Sequence, residues 1–326
     1  MRSIFLAQAL GCLLLSQTLA GQVTDRWNVE SVLTIAWDDS TGIPYTKVPG
    51  ANLGVVAFAM VHEDQVAMLC NGIGEIRVFS TIDNSLMYKF PVEPAPRDLA
   101  FNGTKYFILF DRHVAIHSED GQYESSFSIP HDALGVTRLA VLHDAVYLWL
   151  PAGNSMMVFK GDNVIREEYG GWACPNGDFI YTAIVDGKAE ATWYSGGVRS
   201  VRSFAMDRKV AGVSPVGVMG SKVILDVQTF ISENPVAVQR HFVAIDIEPG
   251  VDDSSLSMLK APDTYFVYAD RDIYQQSDGN IYNMVTSPNG VHLFRIAECN
   301  EGPCMNYPAE LRSLNYHFNY HLIKID

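Results

Sequence analysis

The stretch RDLAFNGTKYFILFDRHVAIHSEDGQYESSFSI, residues 97–129, decides the fold. It divides into four short runs: Arg97 to Phe101, Tyr106 to Phe110, His113 to Ser118 and Tyr123 to Ile129. Polar turns separate them, beginning with Asn102-Gly103-Thr104-Lys105. Short runs rich in β-branched and aromatic residues, bounded by Asn, Asp and Gly, read as strands joined by tight turns. Four in succession form an antiparallel sheet, with the first strand innermost and the last outermost.

The same unit recurs on both sides. Upstream lie Val55 to Met60, Val66 to Cys70, Glu75 to Ser80 and Leu86 to Val92. Downstream lie Val136 to Val141, Val146 to Leu150, Met156 to Lys160 and Val164 to Tyr169. Six times a polar turn leads into an apolar strand, at Val66, Tyr106, Val146, Ile180, Val223 and Ile281; the intervals are 40, 40, 34, 43 and 58 residues. Spacings of about 40–50 residues are those of β-propeller blades. A fourth unit spans about Gly171 to Met206, a fifth about Val213 to Pro262, and a sixth starts near Tyr265.

The expected fold is therefore all-β, a β-propeller with six blades. The amino segment Ser31 to Trp37 is the favoured outer strand of the sixth blade, with Leu314 to Ile325 as the alternative. If both belong to one further sheet, the count becomes seven. Two β-sandwiches are the competing architecture. Against them, no Pro-, Gly- or Ser-rich linker divides the chain, and Pro91-Val92-Glu93-Pro94-Ala95-Pro96 falls between units, where an interblade connection belongs.

Met1-Arg2-Ser3, the apolar run Ile4 to Leu15, and small residues at Thr18 and Ala20 make an export signal, with cleavage expected after Ala20. The run is shorter than the roughly 20 residues a membrane span needs. An uncleaved anchor, or lipidation at Cys12, are the alternatives. Residues 21–326 are then one propeller domain, exported to a periplasm or the exterior.

Export permits disulfides. Cys299 and Cys304 flank a Gly-Pro turn and are the expected pair; Cys70 and Cys174 stand in apolar surroundings, on opposite sides of a six-bladed ring. The net charge of −14 argues against a nucleic-acid partner. No transmembrane segment follows the leader.

The blades resemble the broad group of exported six-bladed propellers that includes NHL-repeat, streptogramin-lyase-like and gluconolactonase-like proteins. The residues carrying the resemblance are turn-then-apolar steps such as Asp278-Gly279-Asn280-Ile281-Tyr282 and companion strands such as Ser155-Met156-Met157-Val158-Phe159. It covers about residues 53–296. It implies the architecture; enzymes of the group hold a metal with acidic and amide side chains in a central funnel, and no such ligand set maps onto this chain.

Catalytic signatures are missing: no G-x-S-x-G, H-E-x-x-H, C-x-x-C-H or phosphate-binding loop occurs. Ser257-Met258-Leu259-Lys260 matches S-x-x-K at chance level, and Asn102-Gly103-Thr104 is a glycosylation sequon. His317 and His321 share a strand face but stand roughly 13 Å apart, too far for one ion, and the same holds for His113 and His117. Asp38-Asp39, Asp252-Asp253 and Asp270-Arg271-Asp272 are the acidic spots, and none has calcium-loop spacing. Asp270, Arg271 and Asp272 interrupt an apolar stretch, so they are candidates to face the central channel. Arg97, Trp149 and Trp172 complete the candidate ligand or partner residues.

The expected function is a non-enzymatic binding or scaffold propeller for a protein or envelope component. No cofactor is expected. The alternative is a metal-dependent hydrolase or lyase with its site in the central funnel.

Overall fold

The computed structural model describes residues 27–312, apart from 49–50, 132–134, 144, 151–154, 162, 168–170, 247–255, 263–265, 277 and 300–303. The expected leader, the Asp252-Asp253 pair and the run Tyr316 to His321 lie outside the described residues.

Six four-stranded antiparallel sheets make a six-bladed β-propeller. Blade 1 holds Val55–His62, Gln65–Cys70, Glu75–Ser80 and Leu86–Pro91, from the axis outward. Blade 2 holds Asp98–Phe101, Lys105–Leu109, His113–Ser118 and Tyr123–Ser128. Blade 3 holds Arg138–Leu142, Ala145–Leu150, Ser155–Lys160 and Asn163–Glu167. Blade 4 begins with only two residues, Trp172–Ala173, then Phe179–Val185, Lys188–Ser195 and Val198–Phe204. Blade 5 has the longest strands: Val210–Met219, Lys222–Glu233 and Val236–Asp246, with the short Ser257–Lys260 outside.

Blade 6 is built from both ends of the domain. Ile273–Gln275, Ile281–Ser287 and Gly290–Glu298 are followed outward by Trp27–Ile35. The amino strand pairs antiparallel from Trp27 opposite Glu298 to Ile35 opposite Val291. The favoured amino-terminal closure holds, and the seven-blade and two-sandwich alternatives are overturned. The closing strand starts earlier than Ser31 because Trp27 and Val29 fill the layer between blades 5 and 6.

The residue pattern follows from the packing. Inner strands are buried on both faces, so Val55 through Val61 is one unbroken apolar run. Outer strands meet solvent, so Tyr123–Ser128 is exposed almost throughout. The core is a set of layers between neighbouring blades rather than one central nucleus. Val56, Leu69 and Ile76 of blade 1 pack with Leu99, Tyr106 and Ile108 of blade 2. Leu139, Leu148 and Phe159 of blade 3 pack with Leu109 and Val114 of blade 2.

Cys299 and Cys304 form a disulfide, Cα to Cα 5.7 Å, below blade 6. Cys70 and Cys174 are buried free thiols. Burial pushes the Cys70 thiol up to about 12. After the disulfide the chain turns back, and Tyr307 enters the layer between blades 5 and 6. No helix among the described residues is long and apolar enough to cross a membrane.

Candidate functional site

Each inner strand begins on one face of the ring and ends on the other. The first face also carries the hairpin turns between second and third strands. The opposite face carries the turns between first and second strands. The axial channel between them is where sequence and structure converge.

Asp270, Arg271 and Asp272 stand just before the inner strand of blade 6, not inside it, and they separate. In extended backbone, successive side chains point opposite ways. Arg271 turns to the axis, Asp272 turns into the layer between blades 5 and 6, and Asp270 stays at the exposed hairpin-side rim. Only Arg271 fulfils the expectation that the triplet faces the channel.

Arg271 is 3 % exposed and reaches across the ring. Its backbone N–H donates to Val56 O of blade 1 at 3.0 Å. Its Nη1 meets both Asp98 carboxylate oxygens at 3.2 and 3.0 Å, Leu99 O at 3.3 Å and Leu139 O at 2.9 Å. The guanidinium lies 5.6 Å from the Trp172 ring centre of blade 4 and 4.8 Å from that of Tyr274. Through its backbone N–H and its side chain this one residue ties five blades together at the axis. Asp98, fully buried, also accepts the N–H groups of Leu99 and Leu139, both at 2.8 Å. The acceptors of the pair are well supplied, which is the condition for burying it.

Asp272 belongs to a second ion cluster. Arg240 of blade 5 donates to Asp226 from Nε at 2.8 Å and from Nη2 at 2.7 Å. It donates to Asp272 from Nη1, and from Nη2 at 3.0 Å. Beside it, Tyr307 donates to Asn283 Oδ1 at 2.9 Å, and Asn283 donates to Asp272 O at 3.0 Å. Burial pushes the Tyr307 hydroxyl well above its ordinary range, so it stays a donor.

At the hairpin-side rim, Arg97 pairs with Asp111 and is largely exposed. Arg138 lies over Trp149, 5.7 Å from the ring centre, with no hydrogen bond or ion pair among the described residues. Burial, then the neighbouring Arg271, lowers its proton affinity. Trp149 is half-buried and its Nε1–H has no acceptor among the described residues. Asp270 is raised by burial, with Arg97 opposing the shift.

Beneath Arg271 a chamber of about 30 Å³ is lined by Ala100, Ala140, Trp172, Arg271, Tyr274 and Gln275. Gln275 is spent: its Oε1 accepts Val218 N–H at 3.0 Å and its amide donates to Val218 O. The chamber shares Phe101, Val141, Leu142, Pro175 and Tyr274 with a funnel of about 260 Å³, which opens on the face of the first turns. Asn102, His143 and Gln276 add polar groups to its mouth.

Of the residues expected from sequence, Arg271 and Trp172 meet at the axis. Trp149 lies under Arg138, Arg97 sits on the rim, and Asp272 is internal. Asp98, Arg138, Arg240 and Tyr274 were missed. Arg138 carried a legible signal, a charge opening an inner strand beside an apolar run; Asp98 did not, since Arg97 stands next to it and either could turn inward. Among the described residues, no three His, Cys, Asp or Glu side chains gather as a metal site. His113 meets Glu93 at 3.3 Å while His117 meets Gly121 O at 3.1 Å, so the two do different things.

No protein-family model matches the chain, and no curated protein matches it. Solved structures match at the level of the fold. A hydrazine synthase of Kuenenia stuttgartiensis is 12 % identical with TM-score 0.49, over 73 % of this chain and 74 % of that one. A streptogramin B lyase is 7 % identical with TM-score 0.46, over 82 % and 99 %. The Pan2 WD40 domain of Neurospora crassa is 10 % identical with TM-score 0.46, over 87 % and 98 %.

Proposed function

We propose that this protein is an exported, non-enzymatic propeller that binds a protein or an envelope component through its hairpin face. The observation that carries this reading is the pair of apolar hairpin tips on blades 4 and 5. The second and third strands of blade 5 run past their neighbours, so Ile231 and Val236 project at 51 % and 64 % exposure. Ile184 and Val185, at the corresponding turn of blade 4, are exposed on the same face of the ring. Thr182 Oγ1 donates to Val213 O at 3.1 Å and holds the two blades together at this level. Apolar side chains gathered at exposed hairpin tips are candidates for an interaction site.

The export signal and the disulfide support an oxidising compartment. The internal use of the Gln275 side chain supports a structural role for part of the channel wall.

The test is proximity crosslinking in the native envelope with wild type and Ile231→Asp/Val236→Asp. A discrete partner lost in the variant, at unchanged melting temperature, supports the proposal. A set of partners identical in both proteins removes it.

A further inference from the structure

We propose that the axial funnel binds an organic carboxylate head-first, with Arg271 as its receptor. The inference stands apart from the hairpin-face reading, because the funnel opens on the opposite side of the ring.

It starts from an imbalance within one side chain. Every hydrogen bond of the Arg271 guanidinium leaves from Nη1. Its buried Nε–H has no partner, and no bond leaves Nη2 among the described residues. Nε and Nη2 lie on the same edge of a guanidinium, and their parallel N–H groups form the fork that fits both oxygens of a carboxylate. Buried donors are normally satisfied, and Arg271 lines the chamber, so its unpartnered edge asks for an acceptor there once the buried Nε–H is uncovered by a small shift of the side chain.

Space agrees with that demand. One water-sized atom needs roughly 10–15 Å³ of such volume. The chamber of about 30 Å³ under Arg271 therefore takes two or three heavy atoms, the size of a carboxylate head. Trp172 and Tyr274 wall it with aromatic faces. The wider funnel below has Met60, Phe101, Leu142 and Pro175 on its wall and Asn102, His143 and Gln276 at its mouth, so it takes a short body that is apolar next to the head.

Charge does not oppose it. Asp98 neutralises Arg271, and Arg138 and Asp270 both stand at the hairpin-side rim, beyond the plug that Arg271 makes. The ligand class is thus a carboxylate on a short aliphatic or aromatic body, either a free acid or the carboxy terminus of a peptide.

The experiment is isothermal titration of the disulfide-bonded protein with hexanoate, with hexanamide as the uncharged isostere, and with N-acetyl-Gly-Leu as acid and as amide. Hexanoate is expected to bind with a Kd at or below roughly 1 mM. Hexanamide should bind at least about tenfold more weakly, as should hexanoate to Arg271→Lys, which keeps the charge and loses the fork. Leu142→Trp fills the funnel without touching Asp98 and should abolish binding. If the peptide acid binds more tightly than hexanoate, the source is a chain terminus; if hexanoate is tighter, it is a free acid. Equal binding of hexanoate and hexanamide overturns the proposal, and so does absence of both at roughly 20 mM. That comparison needs no variant and survives any that fails to fold. Undiminished binding to a folded Leu142→Trp or Arg271→Lys also overturns it.

Discussion

Arg271 and Asp272 are neighbours in the chain and serve opposite kinds of ion cluster. Asp272 joins Arg240 and Asp226 in a layer sealed by Tyr307, where Nε and both terminal nitrogens of the arginine are engaged. Arg271 joins Asp98 on the axis with one edge of its guanidinium unbonded beside a cavity. The difference teaches that burial alone does not mark a site. What separates a girder from a receptor is whether donors remain once the internal acceptors have been counted.

The contrast can be broken at several strengths. Arg240→Ala should cost most, about 3–5 kcal/mol in urea unfolding, because it leaves Asp226 and Asp272 buried without their shared cation. Asp98→Asn should cost less, about 2–3 kcal/mol, since Arg271 keeps two carbonyl acceptors and can take water from the chamber. If the two losses come out reversed, the sealed and open assignments are wrong. Tyr307→Phe removes one buried hydrogen bond and should cost about 1–2 kcal/mol, measured the same way.

A pH scan adds a neutral joint to the two charged ones. His292 bridges the ring seam, with Nδ1 at 3.2 Å from Thr34 Oγ1 of the closing strand and Nε2 at 2.9 Å from Ser287 Oγ. Burial lowers its proton affinity below the ordinary value of 6.5. The unfolded chain therefore takes the proton more readily, and stability is present above 6.5 and lost as pH falls toward the lowered folded value. The urea midpoint should fall across that window in wild type and stay flatter in His292→Gln. The smallest effect belongs to the rim. Arg97→Ala should change stability by no more than about 1 kcal/mol, because its pair with Asp111 is exposed.

Much of the architecture was legible in the sequence because blades impose a local rule. Residues 97–129 carry four strands and three turns in unbroken order, and each turn announces itself with Asn, Asp or Gly. Blade 4 was legible in its extent, about Gly171 to Met206 against residues 172–204, but its strands were not told apart because the inner one is two residues long, with Cys174 already turning away. The axial site was half legible. Arg271 stood out as a charge among apolar neighbours. Its partner did not, because Arg97 and Asp98 are adjacent and nothing local says which turns inward. The pairing of Asp98 with Arg271 spans 173 residues and exists only once the ring is closed. Tyr307 was hidden for the same reason, since its place depends on a layer made by blades 5 and 6 together.

The strand Trp27–Ile35 has a consequence for how the molecule is made. Glu30 and Arg295, which join across the seam, are separated by 265 residues. At about 5–20 residues per second, a ribosome needs roughly 13–53 s to deliver the second after the first. For that interval the earliest strand to emerge has no sheet to enter, and its apolar residues wait for the last blade to be synthesised. Such long-range pairings slow folding and expose unpaired edges. In a chain of this design the ring closes only after the final hairpin of blade 6 has been made.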